Sequence, residues 1–180
     1  MAAKQQELLS AYLFVRGTSE SYLRKAQRLA KKRKSGVHFV FPLVGAWDSL
    51  IVLEVKSGDL EALRGLVTGL TDAGDGSRVP HSAVAIPWPL GRIKKMELPS
   101  PVEVIVAMRT WAGVSLALFD DLQAQLSPPD VEVLIERVNG SYDLVCELSG
   151  QDLESTQGAV ERLRAAVGDR ATVDVAFAAF

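Results

Sequence analysis

The stretch GAWDSLIVLEV, from Gly45 to Val55, decides the fold because NGSYDLVCEL, from Asn139 to Leu148, repeats its pattern. In both, a glycine is followed two residues later by an aromatic residue and then by an aspartate that opens an apolar run. Glycine and aspartate are typical of turns, and branched apolar residues are typical of strands. Each stretch therefore predicts the turn and second strand of a β-hairpin, and the chain contains this hairpin twice.

The residues around the first hairpin predict four strands and two helices in the order β-α-β-β-α-β. Hydrophobic spacing separates strands from helices, and capping residues mark where the helices begin. The predicted elements are a strand at 11–16, a helix from Thr18 or Ser19 to before Gly36, strands at 37–44 and 48–55, a helix capped by Asp59, and a strand at 78–86.

The second half of the chain predicts the same order of elements. Gly45 and Gly140 are 95 residues apart, and so are Asp48 and Asp143. The chain therefore carries an internal repeat. The predicted elements are a strand at 102–109, a helix across 114–126, strands at 131–138 and 142–148, a helix capped by Asp152, and a strand at 171–178.

Two right-handed crossovers in this order form a ferredoxin-like unit with strand order 4-1-3-2. Pro42 and Pro80 lie in the second and fourth strands, which this order places at the sheet edges, where proline is tolerated. The second and third strands are apolar on both faces, although two helices cover only one. We therefore predict an α+β fold of two ferredoxin-like βαββαβ units, with sheets packed face to face as a fused dimeric α+β barrel. The expected domains are 1–87 and 102–180, with a connector at 88–101.

The composition is typical of an ordinary soluble globular protein. Of 180 residues, 48% are hydrophobic and 23% are charged. No apolar run approaches the ~20 residues of a membrane helix, and the first residues do not resemble a signal peptide, so a cytoplasmic protein is expected. The single cysteine, Cys146, is expected to be a small buried residue. Trp47 and Trp111 are expected in the core.

The small net charge of −2 conceals a strong asymmetry between the halves. Residues 1–95 hold 15 Lys and Arg against 8 Asp and Glu, whereas residues 96–180 hold 5 against 14. Three roles are open for the basic first helix: a solvated face, contact with an acidic protein surface, or nucleic-acid binding. Nucleic acid is the least favoured, because no aromatic residues are interleaved with the cations. We expect a homo-oligomer that sets basic against acidic halves. The candidate partner surface is Arg24, Lys25, Arg28, Lys31 and Lys32.

The repeated hairpin and the element order resemble the ligand-sensing domain of the Lrp/AsnC transcriptional regulators, present in tandem. The resemblance rests on Gly-x-aromatic-Asp followed by an aliphatic strand and a helix that opens with Asp-Leu, here Asp59-Leu60 and Asp152-Leu153. It implies binding of an amino acid or related metabolite, coupled to oligomerisation or a partner. About ten residues precede the first strand, so a DNA-binding helix-turn-helix is not expected in this sequence.

The hairpin residues have two interpretations. Turn chemistry alone explains the glycine and the aspartate. Alternatively, the hairpin tips line a ligand site, since loops on a rigid scaffold carry function. The candidate ligand-binding residues are Gly45, Trp47, Asp48, Gly140, Tyr142 and Asp143.

An α+β-barrel enzyme of the monooxygenase, isomerase or haem type is the alternative, and a ligand-free interaction module is another. A haem iron usually takes His, Cys, Met or Tyr as a ligand. The only histidines, His38 and His81, are predicted on opposite edge strands and should not form a pair. No catalytic motif is evident, and Tyr12, Tyr142 and His81 are weak candidates. We therefore expect no enzymatic activity, no catalytic residues, no metal and no cofactor.

Overall fold

The computed structural model describes residues 8–32, 34–72, 81–87, 102–126 and 131–178. Pro80, Trp88 and the predicted connector lie outside the described residues, so the division into domains stays a prediction. The elements in chain order are β1 (Leu8–Arg16), α1 (Glu20–Ala30), β2 (Val37–Gly45), β3 (Ser49–Lys56), α2 (Leu60–Thr71), β4 (His81–Pro87), β5 (Val102–Thr110), α3 (Ser115–Gln125), β6 (Val131–Gly140), β7 (Leu144–Gly150), α4 (Leu153–Val167) and β8 (Ala171–Ala178).

Three helices begin at the predicted capping residues. The side chains of Ser19, Asp59 and Asp152 each accept a hydrogen bond from a backbone N–H group three residues later. Each bond satisfies one of the donors that a helix leaves unpaired in its first turn. Among the described residues, no helix is long and apolar enough to cross a membrane.

The eight described strands form one closed antiparallel barrel, and the four described helices lie outside it. The order around the barrel is β1-β3-β2-β8-β5-β7-β6-β4. Each half therefore has the predicted strand order 4-1-3-2, and the α+β prediction is confirmed. The predicted sheet edges do not remain free, because β2 pairs with β8 and β4 pairs with β6. The pairing of β2 with β8 begins at Leu43, one residue after Pro42, which accommodates the missing donor of the proline.

Apolar side chains form three cores, in agreement with the prediction that both faces of each sheet are buried. One core fills the barrel interior and takes residues from both halves, including Phe14 and Tyr142. A second packs the sheet of the first half against α1 and α2, and a third packs that of the second half against α3 and α4. Trp47 is buried as expected, but Trp111 is 61% exposed because it lies on the surface before α3.

The repeated hairpin closes the barrel at both joints between the halves. The N–H group of Ala46, next to Gly45, donates to the carbonyl oxygen of Val175 in β8 at 2.9 Å. The N–H group of Ser141, next to Gly140, donates to the carbonyl oxygen of Val84 in β4 at 2.8 Å. Each hairpin tip is thus bonded to the last strand of the other half.

Gly45 and Gly140 are required for this close approach. Their φ angles are 135° and 128°, in a region that other residues rarely adopt. A Cβ atom on Gly45 would lie 2.6 Å from the carbonyl oxygen of Val175, and one on Gly140 would overlap the carbonyl oxygen of Val84. The repeat of this glycine therefore has a structural cause.

We predict that Gly140→Ala lowers the free energy of unfolding by ~1–3 kcal/mol, because it adds backbone strain and a clash at a closing joint. Gly69→Ala is the matched control, since Gly69 lies in α2 and a Cβ atom there would meet nothing within 4 Å. Alanine in a helix interior is favoured over glycine by ~0.5–1 kcal/mol. Chemical denaturation measures both changes, and equal stability of Gly140→Ala and the unchanged protein would contradict this account of closure.

Candidate active site

Strand alternation places polar side chains inside one end of the barrel. Ile105 faces the interior, and the register pairs it with Glu147 of β7, which pairs in turn with Leu134 of β6. Paired residues on adjacent strands point to the same face of a sheet. Glu147 therefore points into the barrel, as does Glu103, two residues before Ile105. We call the end where β1, β2, β5 and β6 begin the acidic end, and the opposite end the hairpin end.

Four carboxyl groups lie on inward-facing positions of three neighbouring strands. Glu103 is 2% exposed and Glu147 is 9% exposed, whereas Glu136 is half-buried and Glu132 is exposed at the mouth. Burial, followed by the interaction with Glu103 and the charges of Glu136 and Glu132, raises the pKa of Glu147 to about 9. Glu147 therefore carries a proton at neutral pH. We call the four residues Glu103, Glu132, Glu136 and Glu147 the interior acidic group.

Tyr12 of β1 contacts this group across the barrel. Its hydroxyl donates a hydrogen bond to Oε2 of Glu136. Burial is the largest cause that raises the pKa of Tyr12 well above its usual value of 10, and the charges of Glu136 and Glu147 add to it. Tyr12 therefore stays protonated and holds the Glu136 carboxylate in one orientation.

Two buried polar atoms at the acidic end have no hydrogen-bond partner among the described residues. They are Oε2 of Glu103 and the hydroxyl of Ser10, which is 0% exposed and lies two residues before Tyr12 on the inward face of β1. A buried polar group without a partner costs ~1–3 kcal/mol, and so almost all such groups in native proteins are paired. Both atoms are therefore available to a bound molecule.

The hairpin aspartates have a structural role at the hairpin end. Oδ2 of Asp48 accepts from the N–H groups of Gly17 and Thr18, at 2.6 and 3.2 Å. Oδ2 of Asp143 accepts from the N–H group and hydroxyl of Thr110, at 2.7 and 3.1 Å. These bonds tie each hairpin to the residues that follow the first strand of its own half.

The hairpin aromatic residues plug the barrel at this end. Trp47 and Tyr142 pack on each other and on Phe14, with ring centroids 5.3 to 6.3 Å apart. The guanidinium groups of Arg16 and Arg109 lie over the rings of Trp47 and Tyr142, at 5.5 and 5.0 Å. The hydroxyl of Tyr142 donates to Asp174 at 2.6 Å.

The structure brings two of the six predicted ligand-binding residues, Trp47 and Tyr142, together and leaves the glycines and aspartates at two separate joints. Gly45, Trp47 and Asp48 lie at one joint, and Gly140, Tyr142 and Asp143 lie at the other. Asp143 alone among them lines a described cavity, of about 340 Å³, together with Ser115, Arg137, Val138 and Asn139. Ligand binding at these positions stays a prediction.

The predicted partner surface lies on α1 and the turn after it. Arg24 pairs with Glu20 one helical turn earlier, and both side chains are largely exposed. The other four cationic side chains of this surface are exposed as well, namely Lys25, Arg28, Lys31 and Lys32. The arrangement is a solvated basic helix face, and a partner for it stays a prediction.

Histidine and cysteine form no metal site in the part of the chain that the structure describes. His38 lies in β2 and His81 in β4, with β3 and β1 between these strands, so they form no pair, as predicted. Nδ1 of His38 lies 3.6 Å from Oε2 of Glu54. Cys146 is buried, and burial strongly raises the pKa of its thiol. No group of three potential metal ligands is found among the described residues.

Sequence reasoning missed Glu103, Glu136 and Glu147. The available signal was that Glu132 and Glu136 of VEVLIERV lie on one face of the strand while Val131, Val133 and Ile135 lie on the other, together with single glutamates in VEVIVAMR and YDLVCEL. Such alternation usually indicates a face in water. Only closure of the barrel places that face inside.

Comparison with known proteins shows similarity in fold without recognisable similarity in sequence. No family model and no curated protein sequence matches this chain. A mutant chlorite dismutase from Candidatus Nitrospira defluvii matches with a TM-score of 0.59 and 9% identity, over 98% of this chain and 93% of that one. An anthrone oxidase-like protein matches with a TM-score of 0.55 and 15% identity, over 100% and 94%. A heme-binding protein from Thermus thermophilus matches with a TM-score of 0.51 and 11% identity, over 97% and 92%.

These matches correct the functional expectations from the sequence. The resemblance to Lrp/AsnC sensing domains is wrong, because the matched folds are chlorite dismutase-like, anthrone oxidase-like and heme-binding proteins. The predictions of amino-acid sensing, of transcription regulation and of a protein without enzymatic activity are wrong with it. The physical reason is that Gly-x-aromatic-Asp serves barrel closure here, so its recurrence does not identify a sensing domain.

The described residues do not fit a haem. Met108 and Cys146 are close-packed in the core between the second sheet and its helices. His81 is exposed at the start of β4, and His38 interacts with Glu54 at the start of β2. The hydroxyl of Tyr12 is bonded to Glu136. None of these five described side chains therefore lies free in the barrel interior to bind a haem iron.

We predict that Glu147→Gln removes a pH dependence of stability. In the folded chain Glu147 keeps its proton up to about pH 9, whereas an ordinary glutamate loses it near 4.5. The folded state therefore binds more protons in this range, and the free energy of unfolding falls as pH rises through it. Glutamine cannot ionise, so at pH 8.5 the Tm of Glu147→Gln should exceed that of the wild-type protein by at least ~3 °C. A change of ~1 kcal/mol in the free energy of unfolding corresponds to about 2–4 °C in Tm.

Thermal unfolding at pH 5.5 and 8.5 measures this difference, with Glu161→Gln on the exposed face of α4 as the control. The control should follow the unchanged protein at both pH values. If the difference in Tm between Glu147→Gln and the wild-type protein does not grow with pH, Glu147 is ionised in the folded state.

Proposed function

We propose that this chain is an α+β-barrel enzyme that transfers a proton to or from a small molecule bound at the acidic end of the barrel. The observation that carries the proposal is that Oε2 of Glu103 and Oγ of Ser10 are buried without a described hydrogen-bond partner, on inward-facing positions at the end of the barrel that also holds Glu147 and Tyr12. The enzymes named among the matched structures support it at the level of fold.

Stability alone does not explain the interior acidic group. Burying a carboxyl group costs free energy unless it is neutralised and hydrogen-bonded. Here Glu103 and Glu147 lie side by side among apolar residues, and no described lysine or arginine pairs with them. Groups with strongly shifted pKa values cluster at functional sites, because catalysis needs such shifts. A binding and proton-transfer site accounts for the arrangement.

The geometry assigns different roles to the two central carboxyl groups. Glu147 carries a proton at neutral pH and can donate a hydrogen bond, and then the proton, to a carbonyl oxygen. Glu136, held by the hydroxyl of Tyr12, can accept a proton from the adjacent carbon. The C–H bond breaks, an O–H bond forms, and the ketone becomes its enol with no net change in protons. Return of a proton to the same or a neighbouring carbon regenerates both groups.

Chemistry at a haem is not proposed, because the described residues do not fit that group. Of the barrel-enzyme types considered from the sequence, an isomerase requires proton transfer at carbon directly. A monooxygenase that acts on an enolisable substrate begins with the same abstraction. The proposed step is therefore common to both types.

The finer organisation of the chain belongs to the same proposal. Each half is a ferredoxin-like unit, and their fusion supplies both walls of the site: Tyr12 comes from the first half and the interior acidic group from the second.

Two copies of the chain further associate through the basic face of α1 and the acidic second half. Salt screens exposed charges beyond ~10 Å at 0.1 M.

We predict that this association weakens as salt rises. Light scattering between 20 mM and 500 mM NaCl measures the mass. Substituting glutamine for both Lys25 and Arg28 should shift the mass toward the monomer at low salt. A mass that is independent of both salt and substitution would refute association through these charges.

We predict that the protein accelerates exchange of α-hydrogens for deuterium in uncharged ketones that carry an aromatic ring, such as 2-tetralone. General acid–base groups contribute about 10²–10⁴-fold to a rate, so Glu136→Gln should lower the exchange rate by that factor. Tyr12→Phe should lower it less, because it removes the orientation of the carboxylate and leaves the base. NMR in D₂O measures the loss of the α-hydrogen signal.

The control is Glu161→Gln, which removes the same negative charge as Glu136→Gln but at a residue on α4, far from the barrel interior. Its exchange rate should equal that of the unchanged protein. Exchange at the buffer rate across a panel of such ketones, or exchange that Glu136→Gln leaves intact, would contradict the proposed function.

A further inference from the structure

The two ends of the described barrel differ in the exposure of their inward-facing side chains. At the hairpin end, Phe14, Trp47 and Tyr142 are 0%, 8% and 1% exposed, so their rings plug the opening. At the acidic end, Glu132 is exposed and Leu134 is half-buried on the same inward face of β6. Among the described side chains, those at the acidic end therefore leave the more open approach to Glu147, with Glu132 at its mouth.

The side chains at this entrance are strongly acidic. The interior acidic group is joined by Glu54, which faces inward from β3. The described cations that oppose them are Lys56, exposed at the end of β3, and His38 when it is protonated beside Glu54. Arg16 and Arg109 lie at the other end, over the aromatic plug. The described side chains therefore make this entrance negative, and low-dielectric walls strengthen the effect of their charge on a ligand.

The walls next to the acidic group are apolar. Ile105 and Leu134 flank Glu147 on the two neighbouring strands, and the ring of Phe39 lies half-buried on β2. These surfaces suit a flat hydrocarbon body. At the same end of the barrel, the hydroxyl of Ser10 and the protonated Glu147 can donate to an acceptor such as a carbonyl oxygen, and Oε2 of Glu103 can accept from an N–H or O–H group.

Resting on the proposed function, we infer that the acidic end binds small uncharged or cationic molecules and rejects the corresponding anions. The molecules it binds have an apolar body and a carbonyl or amidine-type head group. Charge selects the substrate class: a carboxylate or oxyanion would have to approach Glu103, Glu136 and Glu132 with no described inward-facing cation beside it. An uncharged amide or ketone meets no such repulsion, and an amidinium or ammonium is attracted.

Three probes of nearly the same shape test this inference: benzamide is uncharged, benzamidine is cationic and benzoate is anionic at pH 7. NMR titration of the full chain, followed through the signals of Tyr12 and Glu147, measures binding of each. Benzamide and benzamidine should bind, and benzoate should bind at least tenfold more weakly than benzamide. Glu132→Gln should reduce the difference in affinity between benzamidine and benzoate, whereas Glu161→Gln should leave that difference unchanged.

Benzoate binding as tightly as benzamide would overturn the inference, and so would a lack of binding by both benzamide and benzamidine at millimolar concentration. The ketone exchange assay separates this outcome from failure of the proposed function. If the three probes bind equally and the exchange rate still depends on Glu136, only charge selection is wrong. If the probes bind according to charge and the exchange rate does not depend on Glu136, only the proton-transfer role is wrong.

Discussion

Closure of the barrel is the constraint on which the rest of the structure depends. The N–H groups beside Gly45 and Gly140 donate to Val175 and Val84, so each hairpin is bonded to the last strand of the other half. Neither half has a free sheet edge at these joints. Closure also brings the hairpin aromatic residues into one end of the barrel, where they pack against Phe14. The other end remains as the place where polar groups of the two halves meet, and the hydrogen bond from Tyr12 to Glu136 joins them there.

Burial explains why the acidic end differs chemically from an ordinary acidic surface. A carboxyl group in water ionises near pH 4, but Glu147 sits among apolar side chains and beside Glu103, so its neutral form is favoured. A neutral carboxyl can donate a hydrogen bond, which a carboxylate cannot. Glu136, on the strand β6 next to that of Glu147, instead accepts a hydrogen bond from Tyr12. Two chemically identical residues thus acquire opposite proton-transfer roles from their surroundings, which is the arrangement that general acid–base catalysis requires.

The sequence predicted the local structure well, because local rules determine it. Asp59 and Asp152 cap helices, Cys146 is buried, and the strand order of each half follows from the handedness of its crossovers. It did not predict the candidate site, because Glu132 and Glu136 of β6 lie on the face opposite Val131, Val133 and Ile135, a pattern that usually indicates a face in water. Their interior position depends on the pairing of β4 with β6 and of β2 with β8, which joins residues far apart in the chain. The family resemblance failed for a related reason: Gly-x-aromatic-Asp recurs because closure requires it at both joints.

The central claim is that Glu147 is held neutral inside the barrel and is reachable by a ligand. The most direct test is a pH titration of the side-chain carboxyl carbons by ¹³C NMR, with Glu147 assigned through its absence in Glu147→Gln. The account predicts a signal that titrates near pH 9 and moves when benzamide is added. A Glu147 signal that titrates near pH 4.5 and does not respond to benzamide would contradict it.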